Sequence, residues 1–184
     1  MAIRRIIQST DSGGSRDEQE VLTSQSTFIT TINEEVRGVV KDLVDTMSAY
    51  KICVGLSAPQ IGRLMNVAVA RVQENGQGGG EESETVVLIN PEVIQTSGKK
   101  DVKRESCMSV WGFVGSVERR HKLLVRYQTL AGQETERDFR GFPARVILHE
   151  INHLQGKMYS HYVAGGLEET DLFGGVSQQG TSDD

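Results

Sequence analysis

Two cysteines in 184 residues are too few for a disulfide framework. Cys53 and Cys107 read first as buried free thiols in a reducing compartment. No apolar run approaches the ~20 residues of a membrane span, so no spanning helix is expected. The opening MAIRRIIQSTDSGG has two arginines but no apolar core, and does not read as a secretory signal. Acidic residues follow too soon for a good transit peptide. No Lys/Arg run exceeds a pair and the net charge is −5, so no basic face for DNA is signalled. A small basic patch for weak RNA contact is compatible with that balance. Aromatics make up 5% and hydrophobic residues 37%, lean but sufficient for one compact domain.

What is present is ordered along the chain. Residues 9–27 are polar, with DSGGSR at their centre, and read as a loop. TINEEVRGVVKDLVDTMSAY then places Ile32, Val36, Val39, Val40, Leu43 and Met47 on one helical stripe. Thr31 and Glu34 spell a capping box at its start. GLSAPQIG is punctuated as a loop or irregular strand edge, and NVAVARV reads as a strand. QENGQGGGEESE reads as a flexible hairpin loop; it lacks the Gly-Lys-Ser/Thr ending of a phosphate loop. TVVLINPEVIQTS gives strand broken at Pro91, and KRESCMSVWGFVGSVERR mixes strand with glycine bends. HKLLVRYQTL and ETERDFR alternate as a hairpin. In GFPARVILHEINHLQG, Pro143 suits a helix start and Gly156 its stop, with Ile147, Ile151 and Leu154 as the apolar stripe. Strands before a late helix, without βαβ alternation, point to an α+β fold.

That late helix carries chemistry. Residues i and i+4 are neighbours on a helix, so His149 and His153 can present two imidazoles to one metal ion. Glu150 sits close enough to act as a base toward a water there. As pure packing, a buried ionised glutamate between histidines is costly. A catalytic site of this type needs a third ligand. Glu168 and Glu169 lie in a glycine-flanked tail; His161 follows His153 at a spacing that does not fit the long protease motif. On the helix alone, a zinc peptidase and other metal hydrolases remain open.

Three segments in order resemble the motifs of the peptide deformylase family. GLSAPQ (Gly55 to Gln60) resembles Gly-Leu-Ala-Ala-Pro-Gln, ESCMS (Glu105 to Ser109) resembles Glu-Gly-Cys-Leu-Ser, and HEINHLQG resembles His-Glu-x-Asp-His-Leu-x-Gly. MAIRRIIQ, LINPEVI and ARVILHEINHL are also similar to that family. The resemblance covers roughly residues 30–163 and the first few. It implies an α+β fold with antiparallel or mixed sheets packed around a central metal-binding helix. It implies a catalytic domain over 1–163, and the tail 164–184 is expected to be mobile.

By the same resemblance Cys107, His149 and His153 hold one divalent metal, with Fe(II) expected and Zn, Ni or Co as alternatives. A thiolate on Fe(II) implies oxygen sensitivity. The implied reaction is hydrolysis of the N-formyl group of formyl-methionyl peptides, releasing formate. Glu150 is then base and acid, and the Gln60 amide and the Met108 N–H are oxyanion donors. The peptide would pair with backbone around Val54, Gly55 and Ser106. Val54, Phe142, Val146 and the His149 ring would line the methionine pocket. Arg119 would pair with Glu105 behind the ligands. N-formylmethionyl peptides are the implied partners, with transient ribosome contact and neither DNA nor membrane. Cytoplasm is the expected location, an organelle the alternative.

Four positions depart from the family pattern: Cys53 and Ser106 stand where glycine is usual, Ser57 for alanine, and Asn152 for aspartate. None removes a ligand, the base or the oxyanion donor, so activity is expected to survive with altered metal affinity or rate. Two other readings stand beside this one. One is a paralogue of the same fold acting on another formamide, or no longer catalytic; the other is the zinc peptidase.

Overall fold

The structure is a computed structural model describing residues 2–73 and 83–173. Three helices are present among them: α1 (Arg16–Leu22), α2 (Glu34–Ala49) and α3 (Phe142–Leu154). Six strands, β1 (Gly55–Ser57), β2 (Val67–Val72), β3 (Glu84–Cys107), β4 (Val110–Gln128), β5 (Glu134–Arg140) and β6 (Glu168–Glu169), form one sheet. Its order is β1-β2-β3-β4-β5, with β6 also pairing β4, and all these ladders are antiparallel. The α+β expectation holds, with one antiparallel sheet around α3.

The apolar stripe on α2 is real: Val36, Val39, Val40, Leu43 and Met47 are buried against β1 and β2. Its cap differs from the expected Thr31–Glu34 box. Asn33 is the N-cap, and its side chain accepts from the Val36 N–H at 3.0 Å. Asparagine ranks among the best caps and sits directly before the first helical residue. The loop expected over 9–27 is also corrected, since it contains α1. Ser15 and Glu18 close a reciprocal capping box there. Only Leu22 of that helix is buried, so no apolar period announced it.

β3 is not broken at Pro91. The chain bulges between Ile89 and Glu92, where proline cannot donate to the ladder. Asn90 takes φ +50° there, and its side chain bonds both the N–H and the carbonyl of Ile29 at 2.8 Å. The glycine-rich segment expected as a hairpin loop lies largely outside the described residues; the strands flanking it pair antiparallel from Val72 opposite Glu84. The β4–β5 hairpin forms as expected.

The first part of the tail, up to Phe173, packs on the rest of the chain. Glu168 and Glu169 form β6 against Val114 and Phe113. Phe173 is 4% exposed and its ring lies 4.5 Å from that of Trp111. Phe173 gives this segment something to bury, while Leu172 beside it stays exposed. Residues 174–184 lie outside the described residues.

Helix α3 is the hub. Ile147, Ile151 and Leu154 are buried with Leu88, Leu123 and Val125 of the sheet. Its N-terminus follows Gly141 at φ +64°, and Pro143 fits the first turn. The face left over carries the polar residues.

Candidate metal centre and its cavity

His149 and His153 lie one turn apart on α3, with ring centroids 5.0 Å apart. Cys107 ends β3, pairing with Val110 across the turn Met108–Ser109. A register shift between Ser106 and Cys107 re-aims the thiol out of the regular ladder. Its Sγ comes to 3.2 Å from His153 Nε2. One ligand atom from each of Cys107, His149 and His153 lies within 4.8 Å of the others, and all three residues are buried. Glu168, Glu169 and His161 do not join this cluster. Glu168 instead pairs with Arg104 at the surface, and His161 Nδ1 accepts from the Met158 N–H.

The donor set fits a divalent cation. Burial works against charge on His149, but the Cys107 sulfur and the Glu105 carboxylate outweigh it and push the ring up to about 10. At His153, burial and the His149 charge act together and hold the ring well below its usual value. Surroundings that favour one positive charge between these groups favour a metal ion in the same place. Neutral His153, with Nε2 toward the thiol, is ready to ligate. Cys53 is not a further ligand candidate: burial pushes its thiol up, and it donates to the Gly55 carbonyl.

Behind the three candidate ligands, Arg119 meets Glu105 in a fork, Nε to Oε1 at 2.5 Å and Nη2 to Oε2 at 2.8 Å. Glu105 Oε2 also bonds His149 Nδ1 at 3.2 Å. Burial opposes charge on Glu105, but His149 and Arg119 hold its carboxyl well below the usual range. Arg119 Nη1 donates to Asn152 Oδ1 at 2.9 Å. The amide at 152 therefore accepts from Arg119 without adding a charge. Tyr159 stacks on the His149 ring at 5.8 Å.

Glu150 is 4% exposed, and its Oε2 has no hydrogen-bond partner among the described residues. Burial pushes its carboxyl up to about 7 against the pull of His149. Gln60 sits in a 3₁₀ turn, Ala58–Ile61. Its Oε1 accepts from the Ser57 N–H at 2.9 Å and the Ser57 hydroxyl at 2.8 Å. The backbone donor fixes the amide orientation, so Nε2 faces Ser109 Oγ and Cys107 Sγ as a donor. Ser57, a departure from the family pattern, thus adds a second donor to that hold.

Several of these groups line a cavity of about 250 Å³. Val54, Gly55, Gln60, Glu105, Ser106, Cys107, Met108, Phe142, Val146, His149 and Glu150 all line it. Arg119 and Asn152 lie behind it. Missed were Arg104 and Arg145, and Leu172 and Phe173 from the tail. Also missed was the N-terminal segment. Gln8 is buried, donates to the Met108 carbonyl and accepts from the Trp111 N–H, while Ile7 N–H bonds the Gln60 carbonyl. It braces both expected oxyanion elements from behind.

The family model described as polypeptide deformylase matches residues 15–167. This chain belongs to the peptide deformylase family. The peptide deformylase of Thermomicrobium roseum is 36% identical over 159 residues, 86% of this chain and 85% of the relative. That of Desulforudis audaxviator is 35% identical over 159 residues, 86% of this chain and 92% of the relative. Among solved structures, the peptide deformylase of Thermotoga maritima superposes at TM-score 0.76 with 27% identity, covering 89% of this chain and 99% of that one. The Legionella pneumophila peptide deformylase gives TM-score 0.75 and 29% identity over 89% of this chain and 88% of that one. Membership makes the chain a metal-dependent hydrolase, and neither the other-formamide paralogue nor the zinc peptidase is favoured. Among the described residues no helix is long and apolar enough to cross a membrane.

Proposed function

We infer that this chain removes the N-formyl group from the terminal methionine of nascent peptides, releasing formate. The observation that carries the residue roles is the gathering of Cys107, His149 and His153 within 4.8 Å of one another, beside a cavity lined by Cys107, His149 and Glu150, whose Oε2 has no hydrogen-bond partner among the described residues. One thiolate and two imidazoles would hold a single divalent metal; Fe(II) is our choice, and Zn, Ni and Co suit the same set. Such a metal, when bound, polarises the formyl carbonyl and lowers the pKa of a water beside it.

The chain's own groups do the rest. Glu150 Oε2 takes the proton of the attacking water and returns it to the amine nitrogen as the C–N bond breaks. Formate and a free amine result, and the carboxylate is restored. The Gln60 Nε2–H, aimed by Ser57, and the Met108 N–H are the proposed donors to the developing oxyanion. β1 is an edge strand of the sheet, and Val54 and Gly55 line the cavity beside it. An extended peptide can add there and pair with Val54, Gly55 and Ser106. The methionine side chain then meets Val54, Phe142, Val146 and the His149 ring. Cytoplasmic work with transient ribosome contact is the setting that suits such a substrate.

The test is Cys107→Ala with metal content and formate release measured together. Loss of both is expected. Unchanged metal content would refute the ligand assignment.

A further inference from the structure

Arg145 lies one turn before His149, on the same face of α3. It is 6% exposed and lines the cavity. Its Nη1 donates to Glu105 Oε1 at 2.6 Å and to the Val117 carbonyl at 3.0 Å. Its Nη2 donates to the Asp101 carboxylate at 2.9 Å and the Asp101 carbonyl at 3.1 Å. Asp101 and Glu105 belong to β3, Val117 to β4. One side chain therefore ties the helix bearing two ligands to both strands of the hairpin bearing the third.

Glu105 is saturated by this arrangement. Oε1 accepts from Arg119 and Arg145, and Oε2 from Arg119 and His149. A carboxylate has about four acceptor sites, and here each meets a donor. Arg119 comes from β4 and fixes the plane of the carboxylate. Arg145 comes from α3 and fixes where that plane sits relative to the helix. The two imidazoles differ in support. His149 is anchored through Nδ1 to Glu105, whereas His153 Nδ1 has no partner among the described residues. Orientation of His149 therefore depends on Glu105, and Glu105 is held to α3 by Arg145.

We propose that Arg145 is a positioning residue of the metal centre: it locks Glu105 to α3 and so sets the orientation of His149 and its separation from Cys107. The proposal rests on the Cys107/His149/His153 metal reading. Arg145 itself is not one of the three grouped ligand residues. A purely structural ion pair would alter stability alone; a positioning residue alters the coordination geometry as well.

The experiment uses the full chain loaded with Co(II), comparing wild type, Arg145→Met and Arg145→Lys. The sulfur-to-cobalt and ligand-field absorption bands report the geometry of the thiolate and imidazoles. Loss of Co(II) to excess chelator reports retention, and melting and steady-state kinetics are measured in parallel. Arg145→Met is expected to lose Co(II) about 10- to 100-fold faster, with shifted ligand-field bands. Its kcat should fall with KM little changed, and Arg145→Lys should recover part of each effect. A folded Arg145→Met with wild-type bands and retention overturns the proposal, however far its Tm falls. If that variant does not fold, Asp101→Asn decides, since it releases only the outer anchor of Arg145. Several-fold faster Co(II) loss then supports the proposal, and wild-type retention overturns it. Failure of the wild type to take up one Co(II) per chain would instead refute the metal reading beneath it.

Discussion

Gly55 leaves no room for a side chain beside Glu150, and Gly55→Ala tests how closely the proposed base is placed. The residue lies in β1 with ordinary strand geometry, so the need for glycine is spatial. A Cβ there would stand 2.5 Å from Glu150 Oε1 and 2.9 Å from Val146 Cγ1. Ordinary van der Waals contact begins at 3.4 Å, so the carboxylate must retreat by about 0.9 Å. Glu150 is buried on a helix packed against the sheet, and Val146 blocks the neighbouring space. A misplacement near 1 Å can cost about 100-fold in rate, or about 2.7 kcal/mol of barrier. With formyl-Met-Ala-Ser as substrate, kcat/KM should fall by about that factor while metal content and circular dichroism stay unchanged. If the loss acts through Glu150, adding Gly55→Ala to Glu150→Gln should cost little more than Glu150→Gln alone. Activity of Gly55→Ala within threefold of wild type would refute the reasoning, and so would full additivity.

Three smaller perturbations follow from other contacts. Ser57→Ala keeps the backbone bond to Gln60 Oε1 but removes the hydroxyl bond at 2.8 Å; a loss of about 1 kcal/mol predicts a kcat about fivefold lower at unchanged metal content. Phe173→Ala removes a buried ring that packs on Trp111 and lines the cavity; denaturant unfolding should show about 3 kcal/mol less stability, and KM should rise. Burial raises the Glu18 carboxyl, but the Ser15 N–H and Arg5 outweigh it, so the pKa is lowered from 4.5. A lowered carboxylate contributes stability above its unfolded value and loses it as pH falls through its folded value. Melting curves of wild type and Glu18→Gln should therefore differ at pH 7 and converge in acid.

How much could be read beforehand depended on local signals. Helices α2 and α3 announced themselves because long apolar stripes and end signals agree there. Helix α1 did not, since it buries only Leu22, although Ser15 and Glu18 held its start in plain view. The two histidines and Glu150 were legible from helical spacing alone. Cys107 was not: it reaches the site from the end of a strand, through a bulge, and no local period encodes that. Family resemblance pointed to it, and the fold brings it within reach of the histidines. Arg145 was missed although it stands four residues before His149, a spacing that predicts a shared face. An arginine in ARVILHEI looks like a solvated helix residue until Glu105 and Asp101 are seen opposite it. Leu172 and Phe173 were missed because two apolar residues among glycines and acids carry no periodicity.

The amide at position 152 can be weighed by counting the charges near it. The cluster behind Cys107, His149 and His153 holds two buried guanidiniums, Arg119 and Arg145, the buried carboxylate of Glu105 and the part-exposed carboxylate of Asp101. These cancel. Asn152, 8% exposed, accepts from Arg119 Nη1 and leaves the balance untouched. Asn152→Asp would strengthen that one bond by charge assistance. It would also place an added carboxylate in a mostly buried position, and the desolvation of that charge costs stability. A divalent ion beside the Cys107 thiolate brings one net positive charge into the same region, which offsets part of that penalty. The variant should therefore melt well below wild type without metal, and the gap should narrow when Co(II) is added. By linkage, narrowing by 1.4 kcal/mol corresponds to about tenfold tighter metal binding. Equal metal-induced stabilisation in the two proteins would show that position 152 does not sense the metal's charge.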